Sequence, residues 1–130
     1  MRLKLIPVIF LTVFAFAGCA HHQKPLLPVH DEVLIYDVPY DLAYLRTLDA
    51  LANVPDWDME TTEKEKGMIR MRNINYSGLT DSDQRTVTFL LKRVDNNRTS
   101  LELEKESQQA IGAPMLLKMI SAMLNRETQS

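Results

Sequence analysis

The sequence predicts an α+β domain in which an antiparallel sheet of about five strands carries two helices on one face. Two stretches, 41–53 and 114–126, place apolar residues at helical spacing, and four runs between residues 57 and 104 alternate apolar and polar side chains. Such alternation is typical of strands with one buried face and one face in water. The predicted order of elements is β-α-β-β-β-β-α, and residues 33–127 are long enough for one compact domain.

The first strand and the first helix are predicted between residues 33 and 53. Residues 33–38 form a β-branched and aromatic run that ends at Pro39, a composition that favours a strand. In the helix that follows, five apolar residues are expected to face the core: Tyr44, Leu45, Leu48, Leu51 and Ala52. Pro39 suits the start of this helix, and Pro55 suits its end.

A meander of four strands follows the first helix. Its predicted core face consists of Trp57, Met59 and Thr61, then Ile69 and Met71, then Val87, Phe89 and Leu91, and finally Leu101 and Leu103. Residues 63–67 and 95–97 are predicted turns, and Asn96 and Asn97 are expected to adopt the positive φ angles of a tight hairpin. Trp57, the only tryptophan, is expected to be buried against Leu48 or one of its neighbours on the helix.

Charged residues on the opposite faces of these strands have complementary signs. The expected neighbours are Asp58 and Glu60 with Arg70 and Arg72, and Lys92 with Glu102 and Glu104. Such pairs stabilise an antiparallel sheet by about 0.2 to 1 kcal/mol each. We interpret these carboxylates as cross-strand partners and not as an acid/base pair, because strand alternation places them in solvent.

The terminal helix carries the first set of candidate contact residues. It is predicted from about residue 114 to 126, and its apolar side chains cover about 200° of its circumference, more than one packed face requires. We expect Leu116, Ile120 and Leu124 to face the sheet, and Met115, Met119 and Met123, here called the Met row, to remain partly accessible. Methionine suits surfaces that accept varied partners. The alternative is that the Met row also belongs to the core.

A second candidate contact region is the loop of residues 73–83, the longest irregular stretch of the predicted domain. Long loops in compact domains are often functional. Tyr76 and Leu79 are its candidate contact residues. The alternative is that both side chains fold back over the open end of the sheet.

The first nineteen residues have the pattern of a bacterial export signal. Arg2 and Lys4 precede an apolar run, 5–17, which is shorter than the ~20 apolar residues of a membrane-spanning helix. The run leads into Phe16-Ala17-Gly18-Cys19. This segment resembles the lipobox of bacterial lipoproteins, with Phe16 where the family usually has Leu.

The lipobox resemblance implies how the chain is processed and where it resides. Residues 1–18 would be removed as a signal peptide, and the thiol of Cys19 would receive a lipid, with three acyl chains on the mature amino terminus. The implied location is the cell envelope, with the membrane as a partner through the lipid anchor. Because Ala20 and not Asp follows Cys19, the family pattern implies the outer membrane, facing the periplasm.

Residues 19–32 are interpreted as the lipidated cysteine and a flexible tether. Pro25 and Pro28 disfavour a regular helix there. His21, His22 and His30 lie in this stretch. Adjacent histidines in a mobile segment lack the fixed geometry of a metal site, so no metal is expected.

The sequence contains no recognisable catalytic constellation. No histidine follows His30, Cys19 is the only cysteine, and the four glycines are scattered at 18, 67, 78 and 112. Ser/His/Asp or Cys/His catalysis and a phosphate-binding glycine loop are therefore disfavoured, and we expect neither an enzyme nor a cofactor. Loss of the two signal cations lowers the net charge from −2 to −4, which argues against nucleic-acid binding.

In element order and lipidation, residues 33–126 are similar in architecture to the helix-grip domains of BamC, an accessory lipoprotein of the outer-membrane β-barrel assembly machinery. The similarity rests on no residue motif and implies no site residue. Two functions stay open: a non-enzymatic interaction or assembly module with an envelope protein partner, and a carrier of a small ligand or lipid in the periplasm. A cavity beneath the Met row would favour the carrier, and a filled core would favour the module.

Overall fold

The computed structural model describes residues 30–75 and 85–126 of the chain. Its elements in chain order are β1 (Leu34–Tyr36), α1 (Tyr40–Leu51), β2 (Trp57–Glu63), β3 (Met68–Asn73), β4 (Thr86–Arg93), β5 (Thr99–Leu103) and α2 (Ala113–Asn125). Short 3₁₀ turns, Lys64–Lys66 and Lys105–Ser107, follow β2 and β5. The predicted α+β class and the predicted order of elements are confirmed.

The five strands form one antiparallel sheet in the order β1-β5-β4-β3-β2. Strands β2 to β5 pair with their sequence neighbours, as expected for a meander. β1 instead lies at the far edge and pairs with β5, with Leu34 opposite Leu101 and Tyr36 opposite Thr99. The Thr99 hydroxyl also donates to the carbonyl oxygen of Val38 (2.7 Å), which holds the chain after β1 against β5.

The core lies between one face of the sheet and the two helices. The strands contribute Trp57, Ile69, Met71, Val87, Phe89, Leu91, Leu101 and Leu103 to it. The burial predicted for Trp57 is confirmed, since its side chain is 6 % exposed. Its ring lies directly against Gly112 at the start of α2, while Leu48 of α1 is only half-buried.

The predicted alternation fails within β2. Met59 pairs with Met71, but the register then shifts, so that Thr61 pairs with Arg70 and Thr62 pairs with Ile69. Thr62, and not Thr61, therefore lies on the helix-bearing face. The extra residue makes a β-bulge in an edge strand, where bulges disrupt the regular edge that would otherwise pair with another chain.

The buried side of α1 also differs from the prediction. Leu45 is 55 % exposed and Ala52 is exposed, whereas Ala43, Thr47 and Ala50 are buried. α1 packs against α2 as well as the sheet, and small side chains allow two helices to approach closely. Thr47 is tolerated in the core because its hydroxyl donates to the carbonyl oxygen of Ala43 (2.8 Å).

The second hairpin turn closes without left-handed asparagines, contrary to the prediction. Among the described non-glycine residues, only Asp56 has a positive φ, so Asn96 and Asn97 do not. The carboxylate of Asp95 instead accepts hydrogen bonds from the Asn97 N–H (2.9 Å) and from Arg98 Nε (2.7 Å). In this longer loop the chain reverses its direction over more residues, so the positive φ angles of a two-residue type I′ turn are not needed.

The polar face of the sheet follows the predicted charge pattern in part. Two of the expected pairs are found. Lys92 forms an ion pair with Glu102, and Asp58 lies directly opposite Arg72 on the neighbouring strand. Arg70 was expected to face Asp58 or Glu60, but its Nε donates to the hydroxyl of Thr88 (3.2 Å). The bulge in β2 is the reason, because it changes which residues lie opposite Arg70.

Candidate interaction site

α2 presents two rows of apolar side chains with opposite accessibility. The buried row is Leu116, Ile120 and Leu124, and the other is the Met row of Met115, Met119 and Met123. No member of the buried row is more than 1 % exposed, whereas Met115 is 46 % exposed, Met119 is 37 % exposed and Met123 is half-buried. The predicted accessibility of the Met row is therefore confirmed.

A groove of about 300 Å³ lies between the C-terminal halves of the two helices and is here called the α1–α2 groove. Its walls are Asp49, Ala50 and Asn53 on the α1 side, and Met119, Ala122, Met123 and Arg126 on the α2 side. The two alanines leave space that larger side chains would fill. The groove thus combines an apolar floor with one acidic and one basic side chain, Asp49 and Arg126.

A polar contact ties the centre of α2 to the edge strand β1. The hydroxyl groups of Tyr36 and Ser121 share a hydrogen bond. Burial raises the pKa of the Tyr36 hydroxyl, and the hydrogen bond with Ser121 opposes that shift. This hydrogen bond joins two residues that are 85 positions apart in the chain. It directs the side of α2 that carries Ser121 toward β1.

Three predicted site residues lie outside the described residues, namely Cys19, Tyr76 and Leu79. His30 lies within them, and its backbone N–H donates to the carbonyl oxygen of Gln108 (2.9 Å). This hydrogen bond places His30 beside the Lys105–Ser107 turn.

The shifted titratable groups have structural causes. Burial is the main reason that the pKa values of Tyr36, Tyr40 and Tyr44 are raised. A hydrogen bond from Lys64 lowers the pKa of Asp41. The N–H of Asn97, followed by Arg98, lowers the pKa of Asp95. Both carboxylates are exposed and act as local hydrogen-bond acceptors at a helix start and in a turn.

The described part of the chain has neither a cluster of metal-binding side chains nor a membrane-spanning helix. Residues 30–75 and 85–126 contain no group of three or more His, Cys, Asp or Glu side chains that would hold a metal ion. Within the same residues, no helix has the length and apolar character needed to cross a bilayer.

Sequence reasoning identified the Met row but missed the rest of the α1–α2 groove. Ala50 and Ala122 carry no signal of their own, because a small residue on a helix is equally compatible with solvent and with a helix contact. Their role depends on the packing of α1 against α2, which the periodicity of either helix alone does not specify.

No model of a known protein family matches this chain, and no curated protein matches it with significant sequence similarity.

Proposed function

We propose that this protein is a lipoprotein of the bacterial cell envelope, anchored through Cys19, whose domain is a non-enzymatic interaction or assembly module for a protein partner. The lipobox-like segment 16–19 supports the anchor. Ala20 after the cysteine supports an outer-membrane location, facing the periplasm. The observation that carries the interaction function is the accessible Met row beside the α1–α2 groove.

The Met row has the physical properties of a contact surface. Full burial of one methionine side chain stabilises a complex by about 1.5–3 kcal/mol. Met115 and Met119 are partly exposed, so burial of their exposed surface by a partner would contribute a part of this free energy for each side chain. Unbranched thioether side chains adapt their shape to a partner. Protein interfaces commonly surround such an apolar centre with a polar rim, and Asp49 and Arg126 supply one here.

The position of the groove favours the module over the carrier. It opens between α1 and α2, whereas the side of α2 that faces the sheet is occupied by fully buried side chains such as Leu116 and Ile120. Its volume of about 300 Å³ is at the lower limit for a small-molecule pocket. A carrier of lipid would need apolar space beneath the helix, where the side chains of Leu116 and Ile120 lie.

The absence of catalytic activity is part of the proposal and has its own support. Among residues 30–75 and 85–126, the carboxylates with a shifted pKa are Asp41 and Asp95, which are exposed and have lowered pKa values. Proton transfer by a carboxyl group near neutral pH is most efficient when its pKa is raised toward that pH. Both side chains instead suit a structural role.

Site-specific photocrosslinking in intact envelopes tests the proposal. A photoreactive amino acid at position 119 should yield a covalent adduct with a protein, because this position lies at the centre of the Met row. The same amino acid at position 45 is the matched control, since Leu45 is also an exposed apolar helical residue but lies outside the groove. The Met115→Gln and Met123→Gln changes together should reduce the adduct at position 119 without unfolding the domain.

The identity of the adduct separates the two functions. A phospholipid or small-molecule adduct at position 119 would support the carrier and contradict the module. Equal protein adducts at positions 119 and 45 would indicate random collision and contradict the proposed site. Unfolding of the Met115→Gln, Met123→Gln variant would place the Met row in the core.

A further inference from the structure

β1 is an edge strand with one open side. The sheet order places it at one end, beside β5, and no other strand of residues 30–75 and 85–126 lies beyond it. The exposed side chains at this edge are apolar, since Val33 is 53 % exposed and Ile35 is 57 % exposed. We call residues 31–37 the β1 edge.

The backbone of Ile35 is directed away from the sheet. The N–H of Glu104 donates to the carbonyl oxygen of Thr88 on β4 (2.9 Å), so the even-numbered residues along β5 direct their backbone groups to β4. The odd-numbered Leu101 therefore directs its groups to β1, where Leu34 lies opposite it. Because backbone groups alternate between the two sides of a strand, the N–H and C=O of Ile35 face the open side. These two groups can pair with an added strand.

The opposite edge of the sheet lacks these properties. That edge is β2, which contains the bulge described above and carries two exposed carboxylates, Asp58 and Glu60. Bulges and charges are devices by which sheet edges avoid pairing with another chain. β1 has no bulge in its pairing with β5 and no charged residue from Val33 to Tyr36. Of the two edges, β1 is therefore the one that suits strand addition.

Carboxylates flank the apolar side chains of the β1 edge. Asp31 and Glu32 precede Val33, Asp37 follows the strand, and all three carboxylates are exposed. Within the described residues, none of the three forms an ion pair. The order at positions 31, 33, 35 and 37 is thus acidic, apolar, apolar, acidic, with the period of two of an extended strand.

The elements that contact β1 do not neutralise these carboxylates. They are β5 with the residues at its two ends, and α2, which is joined to Tyr36 through Ser121. Together with Lys92, the partner of Glu102, these elements contribute equal numbers of acidic and basic side chains, namely Asp95, Glu102, Glu104 and Glu106 against Lys92, Arg98, Lys105 and Lys118. The three carboxylates of the β1 edge therefore remain in excess.

A concavity of about 510 Å³ lies where β1 ends, beside the hairpin that joins β4 to β5. Its lining residues are Asp37, Asp95, Asn96, Asn97 and Arg98. Asp95 and Arg98 are bonded to each other (2.7 Å), so Asp37 supplies the charge that is left over. A carboxylate beside the amide oxygens of two asparagines suits the side chain of a lysine or an arginine.

A second copy of β1 is a poor occupant of this edge. Antiparallel pairing that puts Val33 opposite Ile35 also puts Asp31 opposite Asp37 at both ends. Pairing centred on Ile35 puts Asp37 diagonally beside Asp31 of the other copy. Like charges on neighbouring strands destabilise the pairing, so the charge pattern favours a partner with basic residues.

We propose that the β1 edge binds an extended segment of a protein partner, which adds to the sheet as a sixth strand. The segment has apolar side chains beside Val33 and Ile35 and a lysine or arginine at each end, one of them in the concavity at Asp37. This surface shares no residue with the α1–α2 groove, and the proposal does not depend on the function proposed above.

Fluorescence anisotropy with fluorescein-labelled peptides tests the proposal on the full-length chain in a nonionic detergent. The peptide Lys-Thr-Val-Thr-Val-Thr-Lys has the order basic, apolar, apolar, basic at a spacing of two, and it should bind. The same peptide with Glu in place of Lys should bind about tenfold more weakly, because its carboxylates lie beside Asp31 and Asp37.

Methylation of the peptide backbone distinguishes strand addition from charge attraction alone. In a strand added beside β1, the two valines direct their N–H groups to the protein, and the threonines direct theirs away. N-methyl groups on both valines should weaken binding about tenfold, because they remove hydrogen bonds to the edge. N-methyl groups on two of the threonines are the matched control and should change the affinity less than about twofold.

Two variants of the protein locate the site. Ile35→Lys puts a cation on the edge and should weaken binding of the lysine peptide about tenfold. Asp37→Asn should weaken it about twofold to fivefold, the range expected for one exposed ion pair. Asp58→Asn is the matched control, since Asp58 is an exposed aspartate on the opposite edge strand, and it should leave the affinity unchanged.

Several results would overturn the proposal. No binding of the lysine peptide, or equal binding of the glutamate peptide, would exclude recognition of basic residues. Equal effects of the two methylated peptides would exclude strand addition. Unchanged affinity in Ile35→Lys, or equal losses in Asp37→Asn and Asp58→Asn, would exclude the β1 edge as the site.

Sedimentation velocity of the full-length chain in the same detergent tests the second copy as the occupant. Self-association that Ile35→Lys abolishes would contradict the proposal, whereas a monomer in both proteins is expected. Circular dichroism checks that each variant folds. The peptide comparisons use the unaltered protein, so they decide the question if a variant does not fold.

Discussion

Gly112 precedes α2 with a φ of +88°, a backbone conformation that residues with a Cβ adopt only at a cost. The space beside it is filled by the indole of Trp57, and a Cβ on Gly112 would lie 2.6 Å from Cζ2 of that ring. Backbone strain and steric overlap therefore act at the same position. This pair determines where α2 begins relative to β2.

Replacement of Gly112 by alanine should destabilise the domain by about 1–3 kcal/mol, the usual cost of overpacking a filled site. Equilibrium urea denaturation followed by circular dichroism measures this loss. In a Trp57→Phe background the same replacement should cost less, because the smaller ring relieves the overlap while the backbone strain remains. Equal losses in the two backgrounds would show that the indole is not the obstacle.

At the level of the element, α2 separates the packing role from the contact role. Branched side chains, Leu116, Ile120 and Leu124, occupy the buried side, and the flexible thioethers lie at its margin. Branched residues have better-defined rotamers and specify a core, whereas methionine specifies it poorly. A helix with this division can keep its fold while its outer row contacts a partner.

The two rows of α2 should differ in their contribution to stability. Leu116→Ala removes a fully buried side chain and should lower the free energy of unfolding by about 2–5 kcal/mol. Met119→Ala removes a side chain that is 37 % exposed and should cost less than about 1 kcal/mol. Urea midpoints of the two variants provide the comparison, and similar losses would mean that Met119 is a core residue.

At the level of the whole molecule, the α1–α2 groove and the contact of His30 with the domain involve different elements. The backbone N–H of His30 donates to the carbonyl oxygen of Gln108, which follows β5, whereas the groove lies between the C-terminal halves of α1 and α2. The contact at His30 therefore does not occupy the groove.

Attachment through Cys19 has a direct test. Mass spectrometry of the protein extracted from membranes should find Cys19 at the amino terminus with its acyl chains, and Cys19→Ser should remain unprocessed and unlipidated. Ala20→Asp is the matched variant for sorting, and by the lipoprotein resemblance it should shift the protein to the inner membrane. An intact Met1 or an unmodified thiol in the wild-type protein would contradict the lipidation.

Part of the site was predictable because it depends on a single element. The Met row and its partial exposure follow from the width of the apolar arc on α2 and from the choice of methionine on one side of it. The α1–α2 groove as a whole was not predictable. Its residues come from two separate stretches of the chain, and Asp49 and Arg126 are distant in sequence.

The type and the order of the elements follow from local sequence, because the repeat of a helix or a strand is encoded by neighbouring residues. Three features depend instead on how the elements pack: β1 pairs with β5 at the far edge, α1 buries Ala43 and Thr47 in place of Leu45, and β2 contains a bulge. Each of these outcomes depends on side chains from distant segments competing for the same space. Local apolar patterns carry no information on that competition, so packing alone selected among the faces and edges that each pattern allows.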